Sequence, residues 1–115
     1  MSSPLGDLEQ ILLFAILRSG GVASGSAIRE EIKVRTGRSI SPGAVYTAMS
    51  RLEERGFVTG EIGGPAPARG GRRKKFYRLD GKGAEALESA YDQLASMAHG
   101  VVPDLRRMTQ REGAG

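Results

Sequence analysis

Apolar residues recur at helical spacing in four segments of the chain. The first segment runs from Asp7 to Ser19, carries apolar residues nearly all round the helix, and ends at Gly20-Gly21. We expect Asp7 to cap this helix, with Gln10 completing a capping box. A helix that is apolar on nearly every side needs cover on more than one face, and a second subunit is one source of that cover.

A second helix is predicted from about Ser24 to Thr36. Ser24 is a good N-cap residue, and Gly37 stands where a left-handed residue commonly ends a helix. Ile28 and Ile32 lie one turn apart and mark the side that faces the core. A short extended link, residues 38–40, leads to the next helix.

The third helix has the clearest start and stop signals. Ser41 is the expected cap, Pro42 occupies the first turn, and Gly56 follows the last turn. One face is an apolar stripe made of Val45, Ala48, Met49 and Leu52. The opposite face is small, hydroxyl-bearing or cationic and consists of Gly43, Tyr46, Thr47, Ser50 and Arg51. Solvated helix faces are usually rich in Glu and Lys, so this composition favours contact with a partner.

Alternating residues then predict two strands, 57–63 and 72–79, joined by a Gly- and Pro-rich loop, residues 64–71. Six cations and no acid lie between Arg69 and Arg78. Removing those six from the 17 lysines and arginines leaves 11 cations against 13 acids. The whole positive excess of the chain, +4, therefore lies in this hairpin, which we call the wing. A focused basic patch indicates a polyanionic partner.

A fourth helix begins near Asp80 and carries apolar residues three and four positions apart. This heptad seam is typical of helix pairing, and its candidate dimerisation residues are Leu87, Tyr91, Leu94 and Ala98. Gly100 and Pro103 predict a break or kink, followed by a frayed tail through residues 113–115.

Three helices followed by a basic hairpin predict an α+β fold, a winged helix-turn-helix. We assign residues 1–79 to this DNA-binding domain and residues 80–115 to a C-terminal dimerisation helix with a flexible tail. The third helix fits the major groove of double-stranded DNA, and the wing supplies arginines to the backbone or the minor groove. We expect Ser41 and Tyr46 at phosphates and Thr47 and Ser50 at base edges. The full candidate DNA-binding set is Ser41, Gly43, Tyr46, Thr47, Ser50, Arg51, Arg69, Arg72, Arg73 and Lys74.

Composition excludes several other classes of function. Cys is absent, so the chain has neither disulfides nor thiolate metal ligands, which suits a cytoplasmic location. The longest apolar run, residues 11–17, is far too short to span a membrane. His99 is the single histidine and is interpreted as a surface residue, and we interpret Glu53 and Glu54 as solvated charges or partners of nearby arginines. We therefore expect no catalytic site, metal or cofactor.

Four segments together resemble the PadR-like transcriptional regulators. They are residues 5–9, which open the first helix, residues 41–46, which open the third, residues 51–56, which close it, and residues 69–79 of the wing. The resemblance spans about residues 5–95, and the chain looks like the short subtype with a single C-terminal helix.

The resemblance implies a homodimer joined by the C-terminal helix and the first helix. It also implies a repressor that leaves its operator when an effector binds. Ser41, Gly43 and Tyr46 match the family's backbone-contacting helix start, and Arg69, Arg72 and Arg73 match the wing tip and the strand after it. Some short members stack flat ligands on a Trp, but this chain has no Trp.

Three alternatives stay open at this point. The first is a winged-helix protein–protein module that binds no specific DNA. The second is that Tyr46 is a packing residue between helices. The third concerns Phe14, Tyr91, Leu94 and Met97, which either line a pocket for a small apolar or aromatic effector between subunits or form plain dimer core.

Overall fold

A computed structural model of the chain describes residues 5–63 and 74–114, with side chains up to residue 110. Three helices and a short strand come first, and then the two strands of the wing and two further helices. In chain order the elements are α1 (Asp7–Arg18), β1 (Val22–Ser24), α2 (Gly25–Thr36), α3 (Pro42–Glu54), β2 (Val58–Gly63), β3 (Lys74–Leu79), α4 (Gly81–Ala98) and α5 (Val102–Ala114).

The three strands form one antiparallel sheet in the order β1-β3-β2. Tyr77, in β3, pairs with Ala23 of β1 on one side and with Gly60 of β2 on the other. The sequence analysis missed β1, because three residues are too few for alternation to be visible. The two wing strands lie where alternation placed them, while the loop between them falls outside the described residues.

The predicted cap of α1 is wrong, whereas those of α2 and α3 are confirmed. The N-cap of α1 is Gly6, whose N–H donates to the Glu9 carboxylate at 2.8 Å, so Asp7 is already inside the helix. The reason is spacing, because Glu9 is the third residue of the helix and reaches back to the cap position, as in a capping box. Ser24 and Ser41 accept from the backbone N–H three residues on, at 3.2 and 3.1 Å.

The core lies between the first three helices and the sheet. Its fully buried side chains contribute about 1.5–3 kcal/mol each, so a few large residues dominate the stability of the fold. They are Leu12, Leu13, Ile16, Ile28, Met49 and Leu52. The apolar stripe of α3 is therefore directed inwards, which leaves the opposite face of that helix at the surface.

Two helices follow the wing, where the sequence predicted one. The break lies at residues 99–101 and contains Gly100 in a left-handed conformation (φ 82°), as its sequence position suggested. Pro103 stands in the first turn of α5, where its missing N–H has no helical partner to lose. The helix continues to Ala114, where the sequence favoured a frayed end.

Helix α4 is attached to the winged domain near its start. A Cβ at Gly83 would overlap the carbonyl oxygen of Phe57, so only glycine permits this approach. Leu87, one turn further on, is buried and belongs to the protomer's own core. Leu87 therefore helps to dock α4 onto the core of its own protomer, and its predicted part in dimerisation stays a prediction.

Candidate nucleic-acid interface

The outward face of α3 is the surface that the sequence analysis assigned to DNA. Gly43, Tyr46, Thr47 and Arg51 are exposed and Ser50 is half-buried, opposite the buried side chains of the same helix. Tyr46 is the largest of them and exposes 59% of its surface although it is aromatic. The side chain of Tyr46 is therefore not a filler of the core.

Gly43 lies in the first turn of α3 and has open space beside it. A Cβ built there would meet no atom within 4 Å, and its backbone φ is not positive. Neither packing nor backbone conformation requires a glycine at this position. The small residue instead leaves room for a partner to approach the first turn, whose free N–H groups attract anions.

A cleft of about 340 Å³ opens beside this helix start. It lies between the N-terminal turns of α2 and α3 and strand β3, and two helices therefore direct the positive ends of their dipoles towards it. Its lining residues are Ser24, Gly25, Ser26, Arg29, Pro42, Val45, Tyr46, Lys74, Lys75 and Tyr77. Arg29 of α2 also holds the link before α3, because its Nε donates a hydrogen bond to the carbonyl of Ile40 at 2.7 Å.

The cations at the base of the wing are not equivalent. Lys75 pairs with Glu53 of α3 at 3.1 Å, and Arg78 pairs with Glu61 across the hairpin at 3.0 Å. Lys74 is exposed and has no ion-pair partner among the residues that the structure describes. Glu53 thus has a lysine partner from the wing, where the sequence analysis suggested solvent or an arginine.

Lys75 lies between two aromatic rings. Its Nζ is 5.6 Å from the ring centre of Tyr46 and 5.5 Å from that of Tyr77, within the range of cation–π attraction. The hydrogen bond to Glu53 raises the pKa of Lys75 above its ordinary value. Burial raises the pKa of Tyr77, so the phenol and the ammonium both keep their protons at neutral pH.

The other predicted site residues divide into three groups. Ser41 is exposed at the start of α3. Arg69, Arg72 and Arg73 lie outside the described residues. In the seam, Tyr91 and Leu94 are exposed and Ala98 is half-buried, whereas Leu87 is in the core.

Neither a metal site nor a membrane-spanning helix is found in residues 5–63 and 74–114. No group of His, Asp and Glu side chains there is arranged to hold a metal ion, and His99 is exposed. Within the same ranges, no helix is both long and apolar enough to cross a lipid bilayer.

Comparison with known families identifies the family to which this chain belongs. The sequence profile of the transcriptional regulator PadR-like family matches residues 13–89, about two thirds of the chain. The chain belongs to the PadR-like family. It is thus a winged-helix DNA-binding transcriptional regulator, and the family is not one of enzymes.

Solved structures agree with the PadR-like fold. A PadR family transcription regulator from hypervirulent Clostridium difficile R20291 is 18% identical with a TM-score of 0.71, over 87% of this chain and 99% of that one. A PadR-like regulator from Bacillus cereus strain ATCC 14579 is 26% identical with a TM-score of 0.63, over 85% and 89%. F93 from STIV, a winged-helix DNA-binding protein, is 19% identical with a TM-score of 0.69, over 85% and 98%. A search of curated proteins found no match.

Sequence reasoning missed three contributors to the surface of this PadR-like protein. Ser26 and Arg29 line the cleft from α2, and Lys75 reaches it from the wing. The α2 residues gave no signal, because a serine and an arginine on a polar helix face are ordinary. Lys75 was visible only as one of six cations, and its pairing with Glu53 depends on the fold.

Proposed function

We propose that this PadR-like regulator is a homodimeric repressor that binds a pseudo-palindromic operator through α3 and the wing. The observation that carries the proposal is the outward face of α3, with an unfilled space at Gly43 and an exposed Tyr46 beside a cleft whose lining includes Arg29, Lys74 and Lys75. An anionic backbone fits that surface, because two helix starts and the Lys74 ammonium meet there.

The roles of the site residues follow from their places on α3. Ser41, Gly43 and Tyr46 are at the helix start and contact the phosphate backbone, while Thr47 and Ser50 contact base edges in the major groove. Hydroxyl groups accept and donate, so these two residues recognise more than one base. The remaining contacts to the backbone and the minor groove come from Arg51, Lys74, Arg69, Arg72 and Arg73.

A second subunit is proposed to cover an apolar patch on α1, α4, α5 and the turn between α4 and α5. We define this patch by its exposed apolar side chains, which are Phe14, Leu17, Tyr91, Leu94, Met97, Val101, Leu105 and Met108. Phe14 of α1 and Tyr91 of α4 meet edge to face at 6.2 Å, so the exposed apolar side chains of the two helices adjoin at this point. A run of large apolar side chains on a soluble regulator is typical of a subunit interface.

The two-fold axis of such a dimer coincides with that of its operator. Each α3 then enters one major groove, and the half-sites lie about one or two helical turns apart. A repressor that binds operators in chromosomal DNA acts in the cytoplasm.

Release by a small apolar or aromatic effector completes the proposed mechanism. Phe14 belongs to the apolar patch and also borders a cleft of about 160 Å³ between α1 and α2. An effector held against Phe14 and Tyr91 would change how the two subunits pack and hence the distance between the two α3 helices. An effector-free interface built from the same residues is the competing interpretation.

The salt dependence of DNA binding tests the proposal at the wing. The double variant Arg72→Ala, Arg73→Ala removes four cations from a dimer. If all four contact phosphates, the slope of log affinity against log salt becomes shallower by about 3–4 units. The matched control is Arg106→Ala, Arg107→Ala, which removes two adjacent arginines from α5, outside the candidate surface.

The control variant should bind with the slope of the unmodified protein. A folded wing variant with that same slope would show that the wing does not contact DNA. The protein–protein module would then be the better interpretation of the fold.

A further inference from the structure

The ammonium of Lys75 is held in the surface instead of extending to solvent. Lys75 and Glu53 each expose only about a third of their side chains, 33% and 30%, and their charged atoms are 3.1 Å apart. Glu53 lies seven residues after Tyr46 on α3, which is two turns along the same face. Lys75 therefore contacts α3 at two points, the Glu53 carboxylate and the Tyr46 ring.

Strand β2 leaves the space that this arrangement needs. Gly60 pairs with Tyr77 in the sheet, and a Cβ on Gly60 would lie 2.6 Å from Cε of Lys75 and 2.9 Å from both carboxylate oxygens of Glu53. Any other residue at position 60 would displace the lysine or the glutamate. The ion pair fills the space above a strand position that has no side chain.

We propose that Lys75 is a positioning residue, which holds the exposed Tyr46 ring at the DNA-facing surface while its own charge is satisfied by Glu53 and does not contact a phosphate. The inference rests on the proposed function, because it assumes that Tyr46 contacts DNA. The two adjacent lysines then have different roles. Lys74 contacts a phosphate, whereas Lys75 pairs with Glu53 within the protein.

The first experiment measures the arrangement without DNA. Protons on the ε-carbon of Lys75 lie near two aromatic rings, so their NMR signals are expected upfield of those of Lys74. Tyr46→Leu removes one ring and should move the Lys75 signals towards the Lys74 position. Signals at the Lys74 position in the unmodified protein, or signals that Tyr46→Leu does not move, would overturn the inference.

The second experiment measures binding to a random-sequence duplex over a range of salt concentrations. Lys75→Met should weaken binding about fivefold to thirtyfold, from the loss of the Lys75–Tyr46 cation–π contact in each of the two protomers, and leave the salt slope unchanged. Lys74→Met is the matched control and should make the slope shallower by about 2 units per dimer. Lys75→Arg keeps a cation over the ring and should recover most of the affinity.

A double-variant comparison shows whether Lys75 acts through Tyr46. In a Tyr46→Leu background, Lys75→Met should have little further effect on affinity, because the ring that it positions is absent. A full effect in that background, no effect in the unmodified protein, or a slope change like that of Lys74→Met would each overturn the inference. Failure of the proposed function looks different, because Lys74→Met and Tyr46→Leu would then also leave DNA binding unchanged.

Discussion

Gly43 is the residue at which folding and DNA binding are expected to have opposite requirements. Alanine is favoured over glycine in a helix by about 0.5–1 kcal/mol, and the space beside Gly43 is open, so Gly43→Ala should raise the free energy of unfolding. The added methyl group stands between the first turn of α3 and the approaching backbone of DNA. We expect binding to weaken by about 1 kcal/mol or more per protomer.

Thermal unfolding and duplex titration measure the two effects of Gly43→Ala separately. The control is Gly81→Ala, at the start of α4, where a Cβ also meets nothing within 4 Å. That variant should gain stability and keep its DNA affinity. Unchanged DNA affinity of Gly43→Ala would show that the first turn of α3 does not approach DNA closely.

At the residue scale, the sequence predicts which side chains are exposed on α3 but not which charges are neutralised. The apolar stripe determines the outward face, so Tyr46 and Thr47 are found where periodicity places them. Lys74 and Lys75 look alike in the sequence. Their difference arises because Glu53 comes within reach only when α3 and β3 pack together, which local pattern does not contain.

At the scale of elements, the contact between α4 and the winged domain depends on one glycine. Gly83→Ala places a methyl group against the carbonyl of Phe57, and α4 must move away to accommodate it. Overpacking of this kind costs about 1–3 kcal/mol, so the free energy of unfolding should fall by that amount. Gly81→Ala, two residues earlier on the same helix, is the control and should not destabilise the protein.

Chemical denaturation of the two glycine variants checks this prediction. Equal stability of Gly83→Ala and Gly81→Ala would mean that α4 does not approach Phe57 as closely as the structure shows. The result also bears on Leu87, whose burial depends on the same approach.

The elements themselves were predictable where strong local signals mark their ends. Ser24, Gly37 and Ser41 bound α2 and α3 correctly, because caps and left-handed stops are local features. Strand β1 and helix α5 were not predicted as separate elements. The pairing of β1 with β3 is a non-local contact, and α5 repeats the periodicity of α4 beyond Gly100, so the seam alone does not separate them.

At the scale of the whole molecule, the apolar patch is expected to hold the dimer together. Leu94 is 64% exposed, so Leu94→Asp should leave the fold of one protomer intact. In a dimer the same carboxylate would be buried without a partner, which should cost several kcal/mol of association free energy. Val34→Asp is the matched control, because Val34 is 72% exposed on α2 and lies outside the patch.

Analytical ultracentrifugation at micromolar concentration distinguishes the two variants. The unmodified protein and Val34→Asp should sediment as dimers, and Leu94→Asp as a folded monomer. If the unmodified protein sedimented as a monomer, the apolar patch would not be a dimer interface.

In the proposed complex, two copies of α3 read two halves of one DNA site. Selection of bound duplexes from a random pool, followed by sequencing, measures this most directly. We expect enrichment of an inverted repeat whose half-sites are centred about 10 or about 20–21 base pairs apart, since both helices must enter the major groove on related faces of the duplex. A pool without enrichment, or one enriched in a single unrepeated sequence, would contradict it.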